Sequence, residues 1–460
     1  MQQIIILLEA FFKHLKLWRK YEKVKKLISL TLVLLFVVTL IPTTAGAGFF
    51  EKDKATTVNE DGKWVSAWST SPISASLNDL GVLDKLGVPV SLVTSRVVIQ
   101  PTASGSAVRL TFSNEFGNLP LTISACNVAK ADPDNHKKVD GSTRVTVTFG
   151  GKTRVTIPAG QVITSDPVEI NVTAGESLAV TAYYRGINVM RTIGLIGADS
   201  YVAVGNQTCF NNMLTGIKLK FEADSGSYEI IPALVGMDVM AAKDTDVCVF
   251  FGDSTLANEI PRMLAAKLRE NGINNVSVTQ EAIKGNRLIA NGVGAAANLL
   301  GEAGVDRFQK DVLSQAGVKY VIVKLGINDI VHPYCASKAD KLTPVTFEEM
   351  VAGYQQLIDM AHAQGVKIYF CEITPWKGYT RNVFGRGDDV QWSEEIDAIR
   401  LQLNEWLENE APADDFIDLS AMHSADDAYA LISEQTPDGI HHNTAGQQNF
   451  VNQIPVEMFR

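Results

Sequence analysis

The sequence predicts an all-β, sandwich-like domain followed by a three-layer α/β/α domain built on a parallel sheet. Between Trp64 and Met240, short alternating segments are separated by Gly, Pro, Asn and Asp turns, which is typical of half-buried strands. After residue 243 apolar runs alternate with helical stretches, which indicates a parallel sheet covered on both faces. With 460 residues, 46% of them hydrophobic, the chain has room for two cores. We place the accessory β domain at 48–243 and the α/β domain at 244–460.

The first 47 residues have the composition of a targeting segment. Seven Lys and Arg residues between Lys13 and Lys26 precede the apolar run Leu27–Ile41, and Ala45-Gly46-Ala47 follows. This order predicts a secretory signal peptide at 1–47. An uncleaved anchor is the alternative, although the run is shorter than the roughly 20 residues of a spanning helix. We therefore expect a secreted or cell-surface protein without stable membrane insertion after cleavage.

Charge and cysteine content exclude several classes of partner. The formal net charge is −10, and it becomes −15 once residues 1–47 are left out. Nucleic acid is therefore not an expected partner. The five cysteines are odd in number and lack Cys-x-x-Cys spacing, which predicts neither a disulfide framework nor a zinc site. The spacing leaves a Cys126–Cys209 bridge open.

Each domain can be divided into elements from its periodicity. The β domain is predicted to be a sandwich or jelly roll with no helix longer than a turn or two. In the α/β domain the predicted strands are Val247–Phe251, Val276–Gln280, Tyr320–Leu325, Lys367–Thr374 and Phe416–Leu419. The predicted helices are Glu259–Glu270, Ala295–Ala316, Phe347–Gln364, Ser393–Glu410 and Ala445–Met458.

The first predicted strand of the α/β domain stops at Gly252-Asp253-Ser254. A buried strand with this ending delivers one hydroxyl to the carboxyl edge of the sheet, where ligands bind in open α/β folds. Gly252 permits a sharp turn, and Pro261 suits the first turn of the following helix. Taken alone, Ser254 also fits an ordinary helix-capping serine.

Three further stretches carry polar groups to the same edge. Glu281–Arg287 follows the second strand, Gly326-Ile327-Asn328-Asp329 ends the third, and Pro437–Asn443 precedes the last helix. Each stretch alone is compatible with a turn or cap. Their combination, in this order and on these elements, is much more specific.

The combination resembles the SGNH hydrolases, the GDSL-type esterases and lipases. The matching residues are Gly252-Asp253-Ser254, Gly285, Gly326-Ile327-Asn328-Asp329 and Asp438-Gly439-Ile440-His441. The resemblance extends from Asp244 to the C-terminus and implies a flavodoxin-like α/β/α hydrolase domain. Upstream, Trp64–Pro72 and Leu110–Gly117 are similar to a subgroup with an N-terminal β domain. Three positions depart from the pattern: Thr255, Lys284 and His442.

The resemblance implies a role for each matching residue. Ser254 would be the nucleophile, His441 its general base, and Asp438 the carboxylate that orients the imidazole. The N–H groups of Ser254 and Gly285 and the side-chain amide of Asn328 would form the oxyanion hole. This chemistry requires no cofactor and no metal. His442 is the rival base.

Substrate contacts are expected from loops at the same edge. Lys284, Tyr334, Trp376 and Tyr379 are candidate substrate-binding residues, because a basic group attracts acidic ligands and aromatic rings stack on sugars. Core packing of the same rings is the alternative.

We expect a secreted serine carboxyl-ester hydrolase that deacylates, most simply deacetylates, a small-molecule or polysaccharide ester. A lipid esterase or lysophospholipase of the same mechanism and a non-catalytic glycan-binding protein are the alternatives. The oligomeric state is not predicted.

Overall fold

A computed structural model describes residues 62–75, 88–186, 188–223, 226–256, 259–293, 297–335, 342–379 and 392–460. The predicted signal peptide lies outside these residues. All of the described residues belong to one compact unit, which begins at Thr56. No helix in this described part of the chain is both long and apolar enough to cross a membrane.

The N-terminal part consists of short strands, as its alternating pattern predicts. In chain order the strands are β1 (Gly62–Ser69), β2 (Ile73–Ser74), β3 (Val88–Pro89), β4 (Val93–Ile99), β5 (Gly105–Ser113), β6 (Leu121–Ile123), β7 (Ala125–Lys130), β8 (Val145–Thr146), β9 (Val155–Ile157), β10 (Val162–Thr164), β11 (Val168–Val172), β12 (Leu178–Tyr184), β13 (Val189–Met190), β14 (Thr192–Gly194), β15 (Asp199–Val204), β16 (Ile217–Lys218), β17 (Lys220–Ala223), β18 (Gly226–Glu229), β19 (Ile231–Pro232) and β20 (Leu234–Ala242). The described residues of 62–242 contain no α-helix, only a 3-10 turn at Gly141–Thr143.

Two antiparallel sheets make up most of this β domain. One has the order β1-β20-β5-β10, with β11 also paired to β5, and the other has the order β16-β15-β4-β12-β7-β8. Leu110 and Phe112 on β5 share one apolar core with Val97 on β4 and Val180 on β12. Because each sheet buries one face against this core, the predicted all-β, sandwich-like class is confirmed.

The C-terminal part is the predicted α/β domain. Its strands are β21 (Asp246–Gly252), β22 (Val276–Ala282), β23 (Val318–Lys324), β24 (Lys367–Cys371) and β25 (Asp415–Ile417). Its helices are α1 (Ile260–Glu270), α2 (Ala297–Leu300), α3 (Gly304–Phe308), α4 (Ile327–Cys335), α5 (Phe347–Ala363), α6 (Glu394–Asn409) and α7 (Thr444–Gln453). The strands pair in parallel in the order β22-β21-β23-β24-β25. The predicted parallel sheet is confirmed.

One helical prediction was wrong in detail, and one helix was missed. The single helix predicted for Ala295–Ala316 is interrupted, because Gly301 adopts a left-handed φ of 75° between α2 and α3. A π-helical turn at Gln309–Leu313 then continues α3. Helix α4 was not predicted, because it is short and contains Pro333. It nevertheless positions Asn328 in its first turn.

The β domain covers the edge strand of the parallel sheet. Thr102 Oγ1 accepts from the backbone N–H of Val278 at 2.9 Å and lies 2.8 Å from the Val278 carbonyl oxygen. Ser277 Oγ donates to the carbonyl oxygen of Ser66 at 2.7 Å. An uncovered edge strand leaves backbone groups without partners. The β domain therefore supplies hydrogen-bond partners to some backbone groups of β22, the strand that leads to Gly285.

The four cysteines whose side chains the structure describes form no bridge. Cys126 and Cys209 are both free thiols, so the disulfide left open by their spacing is not formed. Cys248 and Cys371 are buried in strands β21 and β24. These two side chains pack as small apolar groups.

Candidate active site

The carboxyl edge of the parallel sheet brings the sequence motifs together. Ser254 begins a 3-10 turn, Ser254–Leu256, directly after β21, and Asn328 lies in α4 after β23. Asp438 and His441 lie in the loop before α7, whose N-cap is Asn443. Loops at this edge converge because parallel strands all end on the same side.

A continuous hydrogen-bonded row joins the serine to a carboxylate. Ser254 Oγ lies 2.9 Å from His441 Nε2, and His441 Nδ1 lies 2.8 Å from Asp438 Oδ2. The backbone N–H of His441 also donates to Asp438 Oδ1, at 2.9 Å. Partial burial alone would raise the pKa of Asp438, but the hydrogen bonds and charge of His441 outweigh it and lower the pKa to about 2. Asp438 therefore stays ionised near neutral pH.

Gly439 fixes the position of the loop that carries this pair. Its φ is 89°, in the left-handed region, and an added Cβ would lie 2.8 Å from the backbone nitrogen of Tyr379. The Tyr379 ring packs edge-on to the His441 ring, with centroids 6.2 Å apart. Only glycine combines this backbone angle with so close an approach.

The structure brings His441, and not His442, to the serine. The His442 side chain is buried, and neither ring nitrogen has a hydrogen-bond partner among the described residues. Burial, with the charges of Lys324 and His441, lowers the pKa of His442 to about 3. A neutral imidazole with no bond to the hydroxyl is poorly placed to act as its base.

Besides the Ser254 N–H, the predicted oxyanion donors are the Gly285 N–H and the Asn328 side-chain amide. They differ in whether they already donate to an acceptor within the protein. Gly285 has a left-handed φ of 72°, and an added Cβ would meet Leu300 Cδ2 at 2.5 Å. Its N–H has no acceptor within the described part of the chain. Asn328 Nδ2, in contrast, donates to Asp253 Oδ2 at 3.0 Å and to the Asn286 carbonyl oxygen at 2.9 Å. Both amide hydrogens of Asn328 therefore have acceptors in this arrangement.

The aspartates beside the motif residues brace their loops. Asp253 Oδ1 accepts from the backbone N–H and the hydroxyl of Thr255, at 2.9 and 2.8 Å. Thr255 departs from the family pattern, and its hydroxyl forms a hydrogen bond within the turn. Asp329 accepts from the backbone N–H groups of Leu288 and Ile289 at 2.7 and 3.2 Å. Burial raises the pKa of Asp329 to about 7.

Sequence reasoning missed Arg307, which lies beneath the site. Its guanidinium is buried and donates to the carbonyl oxygens of Gly252 and Glu281, at 3.0 and 2.9 Å. It also donates to Asn286 Oδ1 at 2.9 Å and to Ser71 Oγ of the β domain at 3.0 Å. Arg307 thus connects the ends of β21 and β22 with the residue that holds Asn328. No local motif marks this arginine in the sequence.

Glu281 completes this buried network. The Ser71 hydroxyl and the Gln315 amide each donate to its carboxyl group at 2.7 Å. Arg307 forms an ion pair with Asp311 at 3.0 Å. Burial, followed by the charge of Asp311, raises the pKa of Glu281 to about 8. One guanidinium beside two buried carboxyl groups favours a proton on one of them.

The proton on Glu281 is expected to make stability depend on pH. Since the pKa of Glu281 rises from 4.5 to about 8 on folding, the unfolded chain releases this proton in that window and the folded protein keeps it. The contribution of Glu281 to stability is therefore present below pH 4.5 and lost as the pH rises through about 8. Melting temperatures from pH 4 to 9 should fall less steeply for Glu281→Gln than for wild type. Parallel curves would contradict this assignment, and exposed Glu270→Gln is the control.

The candidate substrate-binding residues occupy different environments. Trp376 is 0% exposed within the core, so the expectation that its ring stacks on a sugar is wrong and the core-packing alternative holds. Tyr379 is also buried, whereas Tyr334 is 39% exposed. Lys284 is half-buried, and burial lowers its pKa to about 8. Lys284 faces a cavity between the two domains.

The fold and the residues at its edge define a class. A parallel α/β/α sheet that presents a serine hydroxyl beside a histidine and a carboxylate is characteristic of serine hydrolases acting on carboxylic esters. Residues 250–448 match the profile of the GDSL-like lipase/acylhydrolase family, so this segment is a domain of that family. It is a serine ester hydrolase, as the sequence motifs predict.

Solved structures with partial similarity come from several bacteria. A putative acylhydrolase from Bacteroides fragilis has 18% identity and a TM-score of 0.32, covering 45% of this chain and 84% of its own. A carbohydrate acetylesterase from Sinorhizobium meliloti has 17% identity and a TM-score of 0.33, with coverages of 47% and 98%. An acetylxylan esterase from Geobacillus stearothermophilus has 16% identity and a TM-score of 0.33, with coverages of 45% and 91%. Comparison with curated proteins finds no match.

Proposed function

We propose that this protein is a secreted esterase that removes short acyl groups, most simply acetyl, from extracellular carbohydrate. The observation that carries the catalytic part is the row Ser254 Oγ–His441–Asp438, with distances of 2.9 and 2.8 Å. These distances lie within the hydrogen-bond reach that a nucleophile and its base require.

The reaction follows from this geometry. Ser254 Oγ attacks the ester carbonyl carbon while its proton passes to His441 Nε2, and a tetrahedral oxyanion forms. When this intermediate collapses, the ester C–O bond breaks and the leaving alcohol takes the proton from His441. Water then attacks the acyl-Ser254 ester, His441 accepts the water proton, and the carboxylic acid leaves. Asp438 holds the imidazole tautomer and stabilises the transient imidazolium.

The oxyanion would be met by the N–H groups of Ser254 and Gly285 and by the amide of Asn328. For Asn328, one of its hydrogen bonds to Asp253 or Asn286 must be shared or exchanged when substrate binds. Asn328→Ala is expected to lower kcat by about 100- to 1000-fold if the amide meets the oxyanion. Steady-state kinetics on p-nitrophenyl acetate measure this loss. A decrease below about tenfold would assign Asn328 to loop bracing alone.

The polar surroundings of Lys284 favour a carbohydrate ester over a lipid ester. The neighbouring cavity is lined by charged groups, whereas a lipid esterase needs an apolar channel for its acyl chain. The signal peptide predicted at 1–47 would direct the protein out of the cell, where acylated polysaccharides occur. A lipid esterase or lysophospholipase and a non-catalytic glycan-binding protein remain the alternatives.

A series of p-nitrophenyl esters from acetate to palmitate separates the two ester classes. We expect kcat/KM to be highest for acetate and to fall steeply with chain length. A preference for long chains would contradict the carbohydrate assignment. Equal background rates from wild type and Ser254→Ala would instead favour the binding protein. Acetate release from a panel of acetylated polysaccharides then identifies the natural class of substrate.

A further inference from the structure

A cavity of about 380 Å³ lies between the β domain and the hydrolase domain. Its charged and titratable lining residues are His136, Asp199, Glu229, Glu259, Arg262 and Lys284. We call this cavity the interdomain cleft. Its volume falls within the range of about 300–1,000 Å³ that is usual for ligand sites.

Two residues that line the cleft, Lys284 and Glu259, lie close in sequence to the proposed catalytic groups. Lys284 directly precedes Gly285, whose N–H is a proposed oxyanion donor. Glu259 is the N-cap of α1, the helix that follows the Ser254–Leu256 turn. A ligand in the cleft would therefore extend away from an ester held at Ser254, across the surface contributed by the β domain.

Ion pairs order the β-domain wall of the cleft. His136 Nδ1 lies 2.6 Å from Asp199 Oδ2. Lys218 Nζ bridges Asp199 Oδ1 at 2.8 Å and Glu229 Oε1 at 2.6 Å. Side chains held in this way present hydrogen-bonding groups at fixed positions, which lowers the entropy lost on binding.

The charges of the cleft balance. On the hydrolase side Glu259 pairs with Arg262, and Lys284 adds a second cation. Lys218 is not a lining residue, but it bridges Asp199 and Glu229, so three basic side chains stand near the three carboxylates of the cleft. A balanced, polar lining gives no net attraction to anions or cations, but it offers many donors and acceptors to a neutral ligand rich in hydroxyl groups.

A narrower extension of the cleft contains a buried acceptor. The extension shares Gln100, Gly197 and Arg262 with the main cavity and reaches Gln280. Gln280 is 4% exposed, and its Oε1 has no hydrogen-bond partner among the described residues. A buried acceptor without a partner is unfavourable, so a ligand hydroxyl that reaches it and donates to it is favoured. Trp68 Nε1 donates to the Gly197 carbonyl oxygen at 2.7 Å, and this hydrogen bond fixes the wall of the extension at Gly197.

We propose that the interdomain cleft binds the neighbouring, unesterified units of a neutral oligosaccharide whose acyl ester lies at Ser254. This inference rests on the proposed carbohydrate esterase function and assigns the β domain a part in substrate recognition. Free hydroxyl groups would meet the carboxylates and Lys284, and one hydroxyl would donate to Gln280 Oε1.

Two substitutions test the cleft by different means. Ala198→Phe fills it with a bulky ring, and Gln280→Leu removes the unpaired acceptor while keeping the side chain large. Ala174→Phe is the matched control, because Ala174 is half-buried in the same domain and lines neither cavity. For both cleft variants, the loss of kcat/KM on acetylated xylohexaose should exceed the loss on p-nitrophenyl acetate by about tenfold. Equal losses on both substrates, or no loss, would overturn the inference.

Direct binding separates this inference from the proposed function. Ser254→Ala protein is titrated calorimetrically with unmodified neutral hexasaccharides of xylose, glucose and mannose, and with hexagalacturonate. We expect a neutral hexasaccharide to bind and Ala198→Phe to weaken it by about tenfold. If a neutral hexasaccharide binds but wild-type protein releases acetate from no acetylated polysaccharide, the esterase assignment is contradicted while the assignment of the cleft as a saccharide site stands. Tighter binding of hexagalacturonate, or no binding of any neutral hexasaccharide, would refute the cleft even if acetate is released.

Discussion

His441→Ala is expected to lower kcat for p-nitrophenyl acetate by about 10⁴- to 10⁶-fold, and Ser254→Ala by a similar factor. The reason is that Ser254 Oγ has its hydrogen bond to His441 Nε2 at 2.9 Å, which is the proton-transfer route of the proposed reaction. Because the two residues act as one unit, the double variant should be no slower than either single variant. Steady-state and single-turnover kinetics measure these losses.

His442→Ala provides the matched control for His441. The neighbouring imidazole is buried and has no hydrogen bond to a described residue, so its removal should cost stability through the cavity it leaves. Turnover below the melting temperature should stay within a few-fold of wild type. The opposite outcome, in which His442→Ala is inactive and His441→Ala is active, would overturn the assignment of the base.

Arg307→Met is expected to destabilise the fold by about 3–5 kcal/mol, because Asp311 would remain buried without its close, hydrogen-bonded ion-pair partner. The folded fraction should also be a poorer enzyme. Arg307 contacts the Gly252 carbonyl oxygen and Asn286, and small displacements of catalytic groups can cost about 100-fold in rate. Urea unfolding measures the first effect, and kcat at a temperature where the variant is folded measures the second.

Arg400→Met is the control that separates the positioning role of Arg307 from general destabilisation of the fold. Arg400 forms a comparable buried pair with Asp397, 2.6 Å away, but its hydrogen bonds go to Asp397 and the Ile373 carbonyl oxygen and not to Asn286 or Gly252. Its loss should lower stability by a similar amount of about 3–5 kcal/mol while leaving kcat of the folded protein unchanged. If Arg307→Met and Arg400→Met have the same kcat under folding conditions, Arg307 is only structural.

Strand positions and motif chemistry were predictable because both are local. The run Val247–Phe251 lies within β21, and the Gly-Asp-Ser motif follows it, since an apolar run and a turn-forming glycine act within a few residues. The break of the predicted helix 295–316 escaped the same reasoning. Its cause is the backbone angle of Gly301, and glycine also occurs inside helices, where it only lowers their stability.

The sequence by itself determined the class of each domain and the types of chemical group at the carboxyl edge of the sheet. Only the tertiary structure decided that Trp376 is core, that both hydrogens of Asn328 have acceptors, and that Arg307 joins the active-site strands to Ser71, 236 residues away in the chain. The physical reason is range. Periodicity and turns depend on neighbours in sequence, whereas burial and hydrogen-bond partners depend on residues that meet only after the two domains have packed together.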